Sequence, residues 1–203
     1  MSVLRIGDKM IISKSILFQI SDIVDRAIIF ATQAHSGSLR KGTNLPYIVH
    51  PLEAGTIVSS MTNDREMIAA AILHDTVEDT DTSLDDIKNL FGDRVAKLVS
   101  SETENKRTDL PASDTWRIRK QETIDFLASS SHDEKILVLG DKLSNLRAMY
   151  RDYISIGDDL WNRFNQKDKF QHSWYYHSIS DALSELSQYP AYNEYIKLLD
   201  CIF

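Results

Sequence analysis

Cysteine is almost missing: of 203 residues only Cys201 is one, so neither an intrachain disulfide nor a cysteine-built metal cluster can form. A reducing, cytoplasmic setting is the expectation that follows. Glycine and proline are scarce as well, seven and four in number, which is near half of what average usage of ~7% and ~5% predicts. With so few breakers the chain reads as long helices. No apolar run approaches the ~18 residues that a membrane span needs. The apolar stretch from Met10 to Ile20 is broken by Ser13, Lys14, Ser15 and Gln19, with no small-residue cleavage site after it. Neither membrane insertion nor secretion is expected. Positive charge is also in deficit: 23 Lys and Arg stand against 30 Asp and Glu, a net charge of −7, which argues against a protein that coats nucleic acid.

What is present is globular in composition, with 42% hydrophobic and 26% charged residues. From Ser15 to Ala34 the apolar positions Ile16, Ile20, Ile23, Val24, Ala27, Ile28 and Ala31 recur at three- and four-residue steps, with Gly37 beyond them as a stop. This predicts a first long helix. HSGSLRKGTNLPYIVHP follows without a sustained period and reads as a loop long enough to carry function. Pro51 is expected as the first residue of a helix to about Met61, and Asp64 as the cap of one running through REMIAAAILHDTVED. Ser83 and Asp86 suggest a capping box closed by Gly92, Asp93 opens the next helix, and residues 105–113 form a polar connection. Ser113 or Asp114 starts a helix to about Ala128. From Asp133 a stripe of Ile136, Leu139, Leu143, Leu146 and Met149 or Tyr150 marks another, and the aromatic tail from Trp161 to Phe203 holds two or three more. With no strand-period run longer than four residues, the fold class expected is all-α, in a single domain over 1–203.

Four features stand apart from this packing pattern. HDTVED places His74, Asp75, Glu78 and Asp79 beside an apolar run; on one helix the four would share a broad edge. Such a cluster is costly next to apolar residues unless neutralised, as a divalent cation would do. His50 lies between Tyr47-Ile48-Val49 and Pro51, where a lone histidine is more often structural. Asp141 sits in the apolar ILVLGDKL with Asn145 one turn on, and alone it could be a helix cap or a surface charge. Arg40-Lys41 lies in the long loop, where a solvated basic pair is the default.

Taken together, HSGSLRKGTNLPYIVHPLEA, AAAILHDTVEDTDTSLDDIKNLFGDRVAKLV, WRIRKQETI and LGDKLSNLRAM resemble the hydrolase domain of the Rel/Spo family, from about residue 24 to residue 152. These HD-domain phosphohydrolases degrade the alarmones ppGpp and pppGpp. The resemblance implies an HD-domain helical bundle in which His50, His74, Asp75 and Asp141 hold a metal, with Mn²⁺ usual. It also implies that Glu78 and Asp79 are the acidic catalytic pair, and that Arg40, Lys41 and Asn145 bind a small guanosine polyphosphate. Nitrogen and oxygen ligands without sulfur suit Mn²⁺ and equally admit Fe²⁺, Zn²⁺ or Mg²⁺. Gly42 departs from the polar residue that follows the Arg-Lys pair in the bifunctional enzymes. The short remainder after residue 152 makes the chain similar to the stand-alone alarmone hydrolases, with 153–203 a helical extension of the same domain.

The expected activity is 3′-pyrophosphate removal, giving GDP or GTP. Rival readings are an HD phosphohydrolase acting on an adenosine alarmone or NADPH, and a non-catalytic alarmone sensor. Elsewhere, His35 is expected to pair with a helix C-terminus, His132 to lie in a loop, and His172 and His177 to be surface or packing residues. Lys97, Arg119, Lys120, Lys142 and Arg147 are expected in salt pairs, and the aromatic tail in the core.

Overall fold

The computed structural model describes residues 5–6, 9–10, 17, 19–107 and 109–203. The helix expected from Ser15 falls partly outside them. Within them, helix dominates, and the fold is all-α apart from two two-residue antiparallel strands, β1 (Arg5–Ile6) and β2 (Lys9–Met10). No helix among the described residues is long and apolar enough to cross a membrane. The chain divides into two compact units, residues 1–103 and 104–203.

The first unit is built on α1 (Ile23–Ala34), α2 (Val49–Ser59), α3 (Arg65–Leu73), α4 (Thr76–Asp79), α5 (Leu84–Phe91) and α6 (Asp93–Glu102). Helix α3 is central, packing on α1, α2 and α6. Its residues Met67 and Ala69 to Leu73 are all buried. Small side chains let neighbours approach: a Cβ on Gly55 of α2 would come within 2.5 Å of Ile72 Cγ1, so glycine here permits the α2–α3 contact.

Three boundaries differ from the sequence reading. The expected first helix is interrupted at residues 20–22: Leu17 and Gln19 are helical, but α1 starts at Ile23, because Asp22 is extended and its carboxylate accepts from the amides of Val24 and Asp25 at 2.8 and 3.4 Å. A cap inside the apolar period outweighs the period itself. Helix α2 begins at Val49, two residues before Pro51, which still lies in the first turn where its missing N–H costs nothing. The expected helix through 65–79 breaks at His74-Asp75. There the His74 ring donates to the Ala71 carbonyl at 2.8 Å and the Thr76 hydroxyl to that of Leu73 at 2.7 Å, side-chain bonds that compete with the helical ladder. The capping box of Ser83 and Asp86 is present as expected, and Gly92 closes α5 at a φ of 95°.

The second unit contains α7 (Ala112–Ser129), α8 (His132–Ile156), a 3₁₀ segment (Gly157–Arg163), α9 (Lys169–Ala182), a further turn (Ser184–Leu186) and α10 (Pro190–Ile202). Helix α7 opens after Pro111, with no side-chain cap from Ser113 or Asp114. Helix α8 packs on α10, and α9 on α7 and α10. Ser131 and Glu134 form a second capping box, which makes His132 the first helical residue and not a loop residue. Four of the five cations expected in salt pairs form them: Arg119 and Lys120 to Glu104, Lys142 to Asp141 and Arg147 to Glu194.

Trp161, Tyr175, Tyr176 and Tyr195 are buried as expected, whereas Phe170, at the solvent side of α9, is 82% exposed. His172 is a packing residue, its ring against Trp116, Trp161 and Phe164 and its Nε2–H donating to the Gln166 carbonyl at 2.8 Å. Burial lowers its pKa below the ordinary 6.5, outweighing that hydrogen bond. The folded His172 therefore refuses a proton that the unfolded chain accepts, so stability is expected to fall as pH drops below ~6.5. Urea unfolding at about pH 7.5 and 5.5 should show a smaller loss for His172→Gln than for the parent; an equal loss would exclude His172 as a contributor.

Candidate active site

In the first unit the break between α3 and α4 turns His74 and Asp75 toward α2, where His50 occupies the second position. His50 and His74 are 4% and 2% exposed, their rings 5.1 Å apart and edge to face. The Asp75 carboxylate oxygen Oδ2 lies 3.4 Å from His50 Nε2 and 3.0 Å from His74 Nε2. Burial alone would push the Asp75 carboxyl up, but the imidazoles of His74 and His50 outweigh it and hold it well below the ordinary carboxylate range. A carbonyl can only accept, so the bond from His74 to Ala71 fixes a proton on Nδ1 and directs Nε2 at Asp75. Two imidazoles and a carboxylate converging in this way, one with its tautomer set by a backbone acceptor, fit a divalent cation.

Around this cluster lie residues from the loop between α1 and α2. The loop doubles back through a bridge between Leu39 and Pro46 and an Arg40 N–H to Leu45 carbonyl bond of 2.9 Å. At its tip Gly42 has a φ of 73°, a conformation that favours glycine, which gives the departure at this position a backbone reason. Arg40 is half-buried with its guanidinium 5.5 Å from the centre of the Tyr47 ring, and Lys41 is exposed. Glu78 is half-buried and Asp79 exposed, both on α4.

Tyr47 was not among the residues singled out from sequence. Its hydroxyl lies 2.6 Å from Asp75 Oδ2 and 3.0 Å from Asp79 Oδ2. His35 follows α1 as its C-cap residue through a backbone N–H, but its ring does not pair with the helix end as expected: it is buried against Tyr47, with centroids 4.8 Å apart and planes tilted by 35°. The one sequence signal for Tyr47 was a hydroxyl-bearing aromatic three residues before His50.

In the second unit Asp141 is buried in the interior of α8, neither a cap nor a surface charge. Lys142 donates to its Oδ2, and the Asn145 amide donates to Oδ1 at 2.6 Å. Asn145 thus orients Asp141 from one turn away. Glu104 gathers Arg119 at 2.7 Å and Lys120 at 2.5 Å.

An all-helical fold with paired histidines, one followed directly by aspartate, defines a class: residues 27–166 match the model of the HD domain, and the chain belongs to the HD-domain family. Among curated proteins it is similar to guanosine-3′,5′-bis(diphosphate) 3′-pyrophosphohydrolases. That of Aquifex aeolicus is 35% identical over 134 residues, 65% of this chain and 18% of that protein. That of Danio rerio is 38% identical over 125 residues, 60% of this chain and 66% of that protein. The chain therefore spans less than a fifth of the Aquifex relative and about two thirds of the Danio one. A solved metazoan ortholog of SpoT, described as hydrolyzing ppGpp, superposes with a TM-score of 0.72 at 27% identity, over 89% of this chain and 96% of that one. A Listeria monocytogenes crystal structure superposes with a TM-score of 0.68 at 34% identity, over 79% and 99%.

Proposed function

We propose that residues 1–203 work as one HD domain that hydrolyses the 3′-pyrophosphate of guanosine polyphosphates, ppGpp and pppGpp, to GDP or GTP and pyrophosphate. The observation that carries this reading is the convergence of His50 and His74 on Asp75, in a chain 35% and 38% identical over its matched parts to named 3′-pyrophosphohydrolases. His50, His74 and Asp75, with Asp141 assigned from its GDKLSN motif, are the ligands of a divalent cation, Mn²⁺ by resemblance. When bound, such an ion supplies Lewis-acid charge for a phosphate oxygen and acidifies water.

The side chains do the rest. Glu78, on α4 just beyond the break after His74, takes the proton of the attacking water, and Asp79 assists it. Arg40 and Lys41 supply local positive charge that a chain of net −7 otherwise lacks, drawing in the polyphosphate. By resemblance Asn145 binds the ribose, and it holds Asp141 as well. The protein is proposed to act in the cytoplasm on a small molecule, without nucleic acid or membrane as partner.

Purified protein incubated with Mn²⁺ and a nucleotide panel tests the reading. Both ppGpp and pppGpp are expected to release pyrophosphate as one unit while GTP survives, with ¹⁸O from labelled water appearing in the pyrophosphate. Orthophosphate from NADPH in preference, or cleavage of an adenosine alarmone, would move the activity to another nucleotide. Tight alarmone binding without turnover would make the protein a sensor.

A further inference from the structure

Tyr47 is held on every side by the groups around the first-unit cluster. The His35 ring lies beneath it at 4.8 Å with planes 35° apart, the His50 ring meets it edge-on at 5.9 Å, and the Arg40 guanidinium lies 5.5 Å from its centre. His35 is 2% exposed, and neither of its ring nitrogens has a hydrogen-bond partner among the described residues. Leaving polar atoms so placed is unfavourable, and what the placement secures is a support for the Tyr47 ring. Burial lowers the His35 pKa against the pull of Asp75 and Asp79, so that support carries no charge.

The hydroxyl at the other end of the ring is shared. It lies 2.6 Å from Asp75 and 3.0 Å from Asp79, yet it has one proton for two carboxylates. A phenol is protonated at neutral pH, so the hydroxyl donates to one carboxylate oxygen at a time. The oxygen of Asp75 that it reaches, Oδ2, is the same one that His50 and His74 face. Resting on the function proposed above, we propose that Tyr47 is a positioning residue: its hydroxyl fixes the Asp75 oxygen between the two imidazoles and tethers Asp79 beside it, while its ring seats Arg40. The loop that recognises the nucleotide and the carboxylates that do the chemistry are thereby joined through one side chain.

Tyr47→Phe keeps the ring and removes the hydroxyl, and Tyr47→Leu removes both. Mn²⁺ titration of the chelator-stripped full chain, followed by electron paramagnetic resonance of the free ion, reads the first effect without any turnover. Tyr47→Phe is expected to weaken Mn²⁺ binding about tenfold, the usual range for a residue behind a metal ligand. With ppGpp its kcat should fall about tenfold and its KM stay within about twofold, while Tyr47→Leu should raise KM as well. Mn²⁺ affinity and kcat both within about twofold of the parent in Tyr47→Phe would overturn the assignment, as would a change confined to KM. The metal titration stands whether or not ppGpp is the substrate, so a parent protein that binds Mn²⁺ but leaves ppGpp intact refutes the proposed function and not the role of Tyr47.

Discussion

Asp75→Asn is expected to leave the protein without bound metal after desalting, whereas Glu78→Gln should retain metal and lose turnover by about 10²-fold or more, the usual size of an acid–base contribution. The two carboxylates are three residues apart but stand differently. Asp75 has His50 and His74 nitrogens at 3.4 and 3.0 Å from one oxygen, and its carboxyl is held in the ionised form. Replacing it by a neutral amide removes the charge that offsets a cation. Glu78 lies on α4 beyond the break, half-buried. Its conversion to an amide leaves the shape of the helix intact and removes only a proton acceptor. Metal analysis beside single-turnover kinetics separates the two; an empty site in Glu78→Gln would make Glu78 a ligand and reverse the roles.

Leu73→Ala should cost about 2–5 kcal/mol of stability, a large share of the roughly 5–15 kcal/mol that holds a typical domain. Leu73 is fully buried at the end of α3, the helix on which α1, α2 and α6 all pack. Removing three carbons there leaves a void in the interior, with the carbonyl of Leu73 still engaged by Thr76. Because that bond fixes the backbone, the space has little freedom to close. The drop in urea midpoint measures the effect. A change under about 1 kcal/mol would mean that the neighbours collapse into the void.

The parts of this structure legible in sequence are those governed by local chemistry. Ser83 with Asp86 and Ser131 with Glu134 form the same capping box; only the first was picked out, although the signal in the second is as strong. The all-helical class followed from the apolar period and the scarcity of breakers. The period also misled at its edges. It ran through Asp22 and through His74-Asp75, where side-chain hydrogen bonds to the backbone start one helix and end another. The pairing of His50 with His74 and Asp75 came from motif resemblance, since residues 24 positions apart have no local spacing rule. Tyr47 escaped notice because its hydroxyl contacts lie 28 and 32 residues away, and an aromatic in a loop carries no pattern that foretells them.

The acceptor that sets the His74 tautomer is the main-chain oxygen of Ala71. Every amino acid at position 71 supplies that oxygen, so this part of the site is immune to codon changes that leave the helix standing. Alanine scanning along α3 passes over position 71, which is alanine already, and other substitutions there score only the space its methyl fills. An ester in place of the amide between Ala71 and Ile72, introduced by chemical synthesis, weakens the carbonyl as an acceptor while keeping every side chain. The contribution of Ala71 is thus written in the polymer and not in the genetic message, and a mutational map of the protein would show a blank at one of the atoms that orients its histidine.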